Sequence, residues 1–395
     1  MITPKINQIN ELIASKKYNL ATKYTLDVTW NFLRTTVHHN KALQLRLDYN
    51  SYKTLGNKNL LPDHEVLIHQ QLSELIKQLP SLKETKLEQK NTLQVNKLTK
   101  AYNHGSFKFG EIDLDIKQGE ITGIVGENGN GKTTFLRLIL GELHPNSGTI
   151  AYTFPLEKIN APEPYKVKNK VAFIPQRVPK WKGTLKENLS YHAALHGITG
   201  TENTQHVQYV LARMGLSTFS DLKWAQLSSG YKLRFELAKM LVWYPELLVL
   251  DEPLANLDIQ ATQELLDDLK YFANNPSKPV GIILTSQQLH EVEQISDNIV
   301  FLRNGSPVYS GNLTDFAQNR EVNTIELQGN FSHEVLRNLF PDDIVDVAPS
   351  NTVISLSFKK ELAPSTLLKK LLEKGYEIKY FRDITNSTVQ LFNQN

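Results

Sequence analysis

Residues 126–134 read Gly-Glu-Asn-Gly-Asn-Gly-Lys-Thr-Thr, between the apolar run Glu120–Val125 and the helix-like run Phe135–Leu140. A loop of this composition between a strand and a helix suits a chain of phosphates. Glycines let the backbone come close with its N–H groups turned inward. The following helix adds the positive end of its dipole. Lys132 supplies a mobile point charge for β- and γ-phosphates and the Thr133 hydroxyl is a ligand for Mg²⁺, with Asn128, Gly129, Asn130, Gly131 and Thr134 completing the lining. Nucleoside-triphosphate chemistry is the first hypothesis. The bland alternative is a Gly/Asn-rich turn that happens to precede Lys-Thr.

Downstream, residues 247–252 read Leu-Leu-Val-Leu-Asp-Glu. Four apolar residues ending in two acids describe a buried strand that delivers carboxylates at its C-terminal edge, where ligands sit in open α/β sheets. Asp251 would then hold Mg²⁺ through water, and Glu252 would polarise an attacking water as general base. A strand merely ending in a charged turn is the competing reading. Between the two motifs lies Leu227-Ser-Ser-Gly-Tyr-Lys232, opening an apolar helix, with Gly230 placed 21 residues before Asp251. Such a turn is either an outward-facing anion site of N–H groups and hydroxyls or a simple N-cap by Ser228 or Ser229.

Three regions must position these groups. Residues 1–90 carry helical spacing (Ile6, Ile9, Leu12, Ile13; Ile68, Leu72, Leu75, Ile76, Leu79), with Asp63 as a plausible N-cap. Lys and Arg outnumber Asp and Glu there by 13 to 8, and Lys83–Lys90 reads as a solvated linker. Residues 92–318 alternate short β runs (Ile121–Val125, Val171–Ile174, Leu247–Leu250, Val280–Leu284, Asn298–Phe301) with helical runs (Thr133–Leu140, Leu227–Trp243, Ile259–Asn274), the pattern of a parallel α/β sheet. The stretch Ala151–Lys170, with Pro155, Pro162 and Pro164, reads as an extended loop. Residues 322–395 read as strand (Thr324–Leu327), helix (His333–Leu339), hairpin (Ile344–Val347, Thr352–Phe358), helix (Ser365–Glu373) and strands (Glu377–Phe381, Thr388–Phe392), a small ferredoxin-like α+β order. A net charge of +3 does not call for nucleic acid, and the absence of cysteine excludes disulfides and thiolate chemistry. No apolar run reaches the roughly 18 residues of a membrane span. The start lacks a secretory core, so the cytoplasm is the expected compartment.

Taken in order, these motifs make the chain resemble the ATP-binding subunit of an ATP-binding cassette (ABC) transporter over residues 92–318. Gly126–Thr134 resembles the Walker A loop, Leu247–Glu252 Walker B, and Leu254–Asp258 the D-loop. Leu227–Tyr231 is similar to the signature sequence, with Ser229 for its first Gly and Tyr231 for Gln. Gln176 matches the glutamine that meets the metal and senses the membrane subunit, and Tyr102 the aromatic that stacks on adenine. The switch loop departs, for Gln287 stands where the family carries histidine. An amide can donate to a γ-phosphate oxygen but cannot carry a proton or a positive charge. His290 is expected to face solvent.

The resemblance implies an α/β P-loop NTPase fold with a helical subdomain and a Mg²⁺-dependent ATPase. Its catalytic residues would be Glu252, Gln176, Gln287 and Lys132, and its metal residues Thr133, Gln176 and Asp251. It also implies a head-to-tail dimer, with itself or a paralogous cassette, in which ATP lies between Walker A of one copy and Ser228, Ser229, Gly230, Tyr231 and Asp258 of the other. A separate permease would anchor the pair to the inner membrane face. The C-terminal unit and its end, Asn386–Phe392, resemble exporter ATPases of the ABC-2 type. Trp181 is either a permease contact or a core residue. The N-terminal helices are either a partner-binding module or an extension packed on their own cassette, and His38, His39, His64 and His69 lack metal-ligand spacing. Two rivals are a soluble ABC ATPase acting on ribosomes or DNA and a regulatory nucleotide sensor.

Overall fold

The computed structural model describes residues 3–55, 60–80, 90–102, 107–154, 157–160, 169–255, 257–275, 277–313, 315, 322–350 and 353–385. The N-terminal periodicity becomes four helices, α1 (Thr3–Ala14), α2 (Tyr18–Leu33), α3 (Val37–Leu55) and α4 (Pro62–Gln78). Asp63 is not the cap of α4. Pro62 takes the first helical position, where its missing N–H costs nothing, and Asp63 and Glu65 stand in the first turn.

Next come β1 (Asn91–Ala101), β2 (Lys108–Lys117), β3 (Ile121–Val125), α5 (Lys132–Ile139), β4 (Ser147–Phe154), β5 (Glu157–Asn160) and β6 (Val171–Ile174). They are followed by α6 (Leu185–Leu195), α7 (Gly200–Arg213), α8 (Ser229–Leu241), β7 (Leu247–Leu250), α9 (Ile259–Ala273), β8 (Gly281–Ser286), α10 (Leu289–Glu293), β9 (Asn298–Arg303) and β10 (Ser306–Asn312). The central sheet runs β10-β9-β3-β8-β7-β6. Its inner strands pair in parallel, and every residue of β3, β7 and β8 is buried, as helices on both faces require. A second, antiparallel sheet runs β2-β1-β4-β5. It corrects the expected loop over Ala151–Lys170. Tyr152 alternates inward, fully buried with its hydroxyl bonded to the Ile139 carbonyl, and Ala151–Phe154 pairs with β5. Residues 161–168 and the linker 83–89 lie outside the described residues.

The last elements are β11 (Val322–Gly329), α11 (His333–Leu339), β12 (Ile344–Ser350), β13 (Val353–Lys359), α12 (Pro364–Glu373) and β14 (Ile378–Asp383), with strand order β12-β13-β11-β14. All three pairings are antiparallel, which is the ferredoxin-like arrangement. Leu336, Leu356, Phe358 and Leu367 give this unit its own core. The expected strand Thr388–Phe392 lies outside the described residues.

The N-terminal helices share their core with the central sheet. Ile9, Leu26, Trp30 and Leu72 belong to the same contiguous cluster as Leu250 and Leu284. Trp30 stacks on Tyr209 with ring centroids 4.4 Å apart, and His64 stacks on Tyr52 at 4.0 Å. Buried charges reinforce the junction. Lys23 Nζ donates to both oxygens of Asp268 at 2.8 and 3.0 Å. Arg213 bridges Asp27 and Asp268, each at 2.7 Å, and Tyr209 donates to Asp27 at 2.6 Å. Burial alone would raise the Asp268 carboxyl, but Lys23 and Arg213 outweigh it and hold it at about 2. A carboxyl held below its unfolded value contributes stability above its unfolded pKa, near pH 4, that is lost as pH falls through the folded value near 2. Replacing Asp268 by Ala leaves Lys23 a buried cation without a carboxylate and Arg213 with Asp27 alone. The expected loss of about 3–5 kcal/mol should appear as a lowered urea midpoint at pH 7.

Candidate nucleotide site

Register brings the C-terminal ends of four parallel strands together. Val125 of β3 pairs with Ser286 of β8, Leu250 of β7 with Leu284 of β8, and Ile174 of β6 with Leu250. The loop after β3 can turn tightly into α5 because of two glycines. A Cβ on Gly126 would lie 2.5 Å from the Leu302 carbonyl oxygen. Gly131 is left-handed at φ 95°, and its Cβ would meet Phe107 and Phe109 at 2.9 Å. Asn130 Oδ1 accepts from the Asn304 N–H at 2.9 Å and ties the loop to the β9–β10 turn. Helix α5 is then held by Phe135, Leu136, Leu138 and Ile139, all fully buried.

Lys132 is buried, donating to the Gly126 and Glu127 carbonyls at 2.6 and 3.1 Å, and lies 3.3 Å from Glu252 Oε1. Its ammonium therefore sits inside the curl of the loop, beside the first-turn N–H groups that a helix cannot satisfy internally. That is a cradle for a phosphate anion, and it fits a triphosphate. Thr133 Oγ1 donates to Asp251 Oδ2 at 3.2 Å. A hydroxyl and a carboxylate so close form a hard oxygen donor pair, which fits Mg²⁺. Gln176 reaches the other acid, donating to Glu252 Oε2 at 2.8 Å. Gln287 donates to the same oxygen at 2.7 Å. The Tyr102 hydroxyl lies 3.4 Å from Thr134 Oγ1, with the ring partly exposed.

Sequence reasoning passed over Thr285. Its hydroxyl, wholly buried, donates to Asp251 Oδ1 at 2.7 Å and accepts from the Glu252 N–H at 2.8 Å. Glu252 has φ 48°, a left-handed backbone that costs a residue with a Cβ about 1–2 kcal/mol. The available signal was a hydroxyl at the end of the strand adjoining the one that carries both acids.

Ser228, Gly230, Tyr231 and Asp258 line a different cleft of about 270 Å³, with no residue of the 126–134 loop in its wall. Ser228 is the N-cap of α8, accepting from Tyr231 N at 3.5 Å, and Ser229 is the first helical residue. The helix is shorter than the expected Leu227–Trp243: Leu227 caps the 3₁₀ turn Trp224–Gln226, and at the other end Val242 is the C-cap, ahead of Tyr244 at φ 59° and Pro245. Asp258 caps α9 through Ala261 N at 2.8 Å. Asn256 lies outside the described residues. Trp181 is half-buried; its Nε1 donates to Glu236 at 2.8 Å and Lys239 Nζ sits 3.3 Å from its ring centre. It thereby links the segment after Gln176 to α8. His290 is exposed, as expected.

A family profile described as ABC transporter matches residues 109–255. The uncharacterized ABC transporter ATP-binding protein YhaQ of Bacillus subtilis is 31% identical over 227 residues, 56% of this chain and 72% of that protein. The chain belongs to the ABC transporter ATP-binding protein family. This cassette is also 30% identical to the phosphonates import ATP-binding protein PhnC of Treponema denticola, over 59% of this chain and 95% of that one. Among solved structures it is similar to cbiO1 from Clostridium perfringens, part of the transporter complex cbiONQ, at 25% identity and a TM-score of 0.52, covering 64% of this chain and 95% of that one. A structure titled as the ATP binding subunit of an ABC transporter matches at 26% identity and a TM-score of 0.51, over 57% and 92%. The cassette is thus an ABC ATPase. Thr285→Val, which keeps the shape but removes both hydrogen bonds, should lower the turnover number by on the order of ten- to a hundredfold, with little change in KM for ATP. Thr285→Ser should retain most of the rate in the same steady-state assay.

Proposed function

We propose that this chain is the motor subunit of a membrane transporter, hydrolysing ATP between two head-to-tail copies at the cytoplasmic face and driving a separate permease. The observation that carries this reading is the convergence of Lys132, Gln176 and Gln287 on Glu252, with Thr133 on Asp251 beside it. Among the described residues no helix is long and apolar enough to cross a membrane. Passage across the bilayer therefore falls to another chain in this reading.

Each residue then has a chemical task. Lys132 and the loop N–H groups neutralise and orient the phosphates. Thr133 and Asp251, with Gln176 beside them, would hold Mg²⁺, which supplies charge neutralisation at the β- and γ-phosphates. Glu252 accepts a hydrogen bond from the attacking water and directs it in line. Tyr102 offers an aromatic face to adenine. The Ser228–Tyr231 turn of the other copy closes over the γ-phosphate.

Gln287 gives the site its particular character. Its amide donates to Glu252 where a histidine could donate and also carry charge. The expectation is a slow ATPase that still binds nucleotide and pairs. Gln287→His should raise turnover several-fold in a phosphate-release assay; an unchanged rate would remove the switch position from the explanation. Glu252→Gln, which keeps the shape and loses the base, should accumulate a nucleotide-bound pair on size exclusion in Mg-ATP. A chain that stays single under those conditions would count against the two-copy site.

Direction is the finer part of the proposal. Export is proposed only on the resemblance of the C-terminal unit, whose tail Asn386–Phe392 lies outside the described residues. Two relatives whose names state a cargo, methionine and phosphonates, are import proteins. Co-purification in detergent of a protein with about six apolar spans would support the motor reading.

A further inference from the structure

Helix α3 ends beside the starts of α8 and α9, although the three are far apart in sequence. Lys53 Nζ lies 3.4 Å from Glu264 Oε1. Arg234 pairs with the other oxygen of the same carboxylate, and Gln260 Nε2 adds an amide at 3.2 Å. One carboxylate therefore serves two cations. Lys53 and Arg234 line the same cleft as Ser228 and Gly230. The cleft's other acid, Asp258, turns Oδ1 to the Ala261 N–H at the start of α9.

Two further observations bear on this face. Ile259, next to Asp258, is 92% exposed, more than any other large apolar side chain among the described residues. The cleft's two cations are matched by Glu264 and Asp258, and an apolar side chain this bare beside Ser228 and Lys53 suits contact with another protein surface. Moreover, α3 cannot drift away from the cleft. Asn50 donates to the Ala212 carbonyl at 3.1 Å, Arg46 reaches the same carbonyl at 3.1 Å, and Lys23 holds Asp268, one turn beyond Glu264.

We propose that the N-terminal helices form part of the face that closes on a second copy of this chain, and that Lys53 sets the affinity of that face for the other copy's triphosphate-loaded loop. This rests on the two-copy reading above and adds to it an element from outside the cassette. Lys53 contributes a charge to the shared site, so the helical unit and ATP-driven pairing are energetically linked.

The test uses the full-length chain carrying Glu252→Gln, titrated with Mg-ATP and followed by analytical ultracentrifugation. Adding Lys53→Ala should raise the ATP concentration for half-maximal pairing about fivefold. Lys53→Glu should raise it further, and Lys53→Arg should stay close to the parent. Added salt should shrink the gap between parent and Lys53→Ala. Nucleotide affinity of the unpaired chain, measured at low protein concentration, should not move for Lys53→Ala, and its thermal midpoint should fall only slightly, because Arg234 still pairs with Glu264. If the Lys53→Ala and Lys53→Glu proteins pair at the parent's ATP concentration, this inference fails while the two-copy reading stands. If the Glu252→Gln chain never pairs, both fail.

Discussion

Where β7 runs out at Leu250, the chain must send one carboxylate toward Thr133 and the next toward Gln176 and Gln287. The Thr285 hydroxyl holds that divergence. By donating to Asp251 and accepting from the Glu252 backbone, it fixes a left-handed turn that an acid would not adopt alone. The rest of the site is arranged around the result. Lys132 sits between the loop carbonyls and Glu252, and both glutamines share one oxygen of that acid. Moving the turn would separate the Asp251 carboxylate beside Thr133 from the Glu252 carboxylate beside Lys132, even with every motif residue in place.

That geometry also gives meaning to the glutamine at the switch position. Glu252 Oε2 accepts from two amides, Gln176 and Gln287. An amide holds the carboxylate as well as an imidazole would, since both donate one N–H. What it lacks is the option of charge, so its contribution does not change across physiological pH. In the proposed mechanism, the difference from the family pattern would fall on the chemical step, because the Glu252 hydrogen bond itself is kept.

The parts of this structure that were legible in the sequence are those whose cause is local. The loop at 126–134, the apolar run ending in Asp251 and Glu252, and the β3, β6 and β7 strands carry their patterns within a few residues. The small C-terminal unit was readable for the same reason, because its strands and helices alternate plainly. The antiparallel sheet was not. Its β1 strand is interrupted by register shifts around Lys97, itself at φ 46°, and prolines beyond Phe154 disguise the β4–β5 pairing. Thr285 was invisible because one hydroxyl in an apolar strand has no periodicity. The seat of the N-terminal helices was equally hidden, since Lys23, Asp27 and Arg46 find partners only in the folded chain.

Those partners are far along the chain: Tyr209 and Arg213 for Asp27, and Asp268, 245 positions after Lys23. During synthesis at about 5–20 residues per second, the first helices leave the ribosome on the order of ten to fifty seconds before their acceptor does. Throughout that interval α1–α4 can pack only on one another, Trp30 lacks Tyr209 to stack on, and Lys23 has no counter-ion. The buried cation and acid of α2 are thus neutralised only when residues 209–268 have emerged, so the junction is completed late in synthesis.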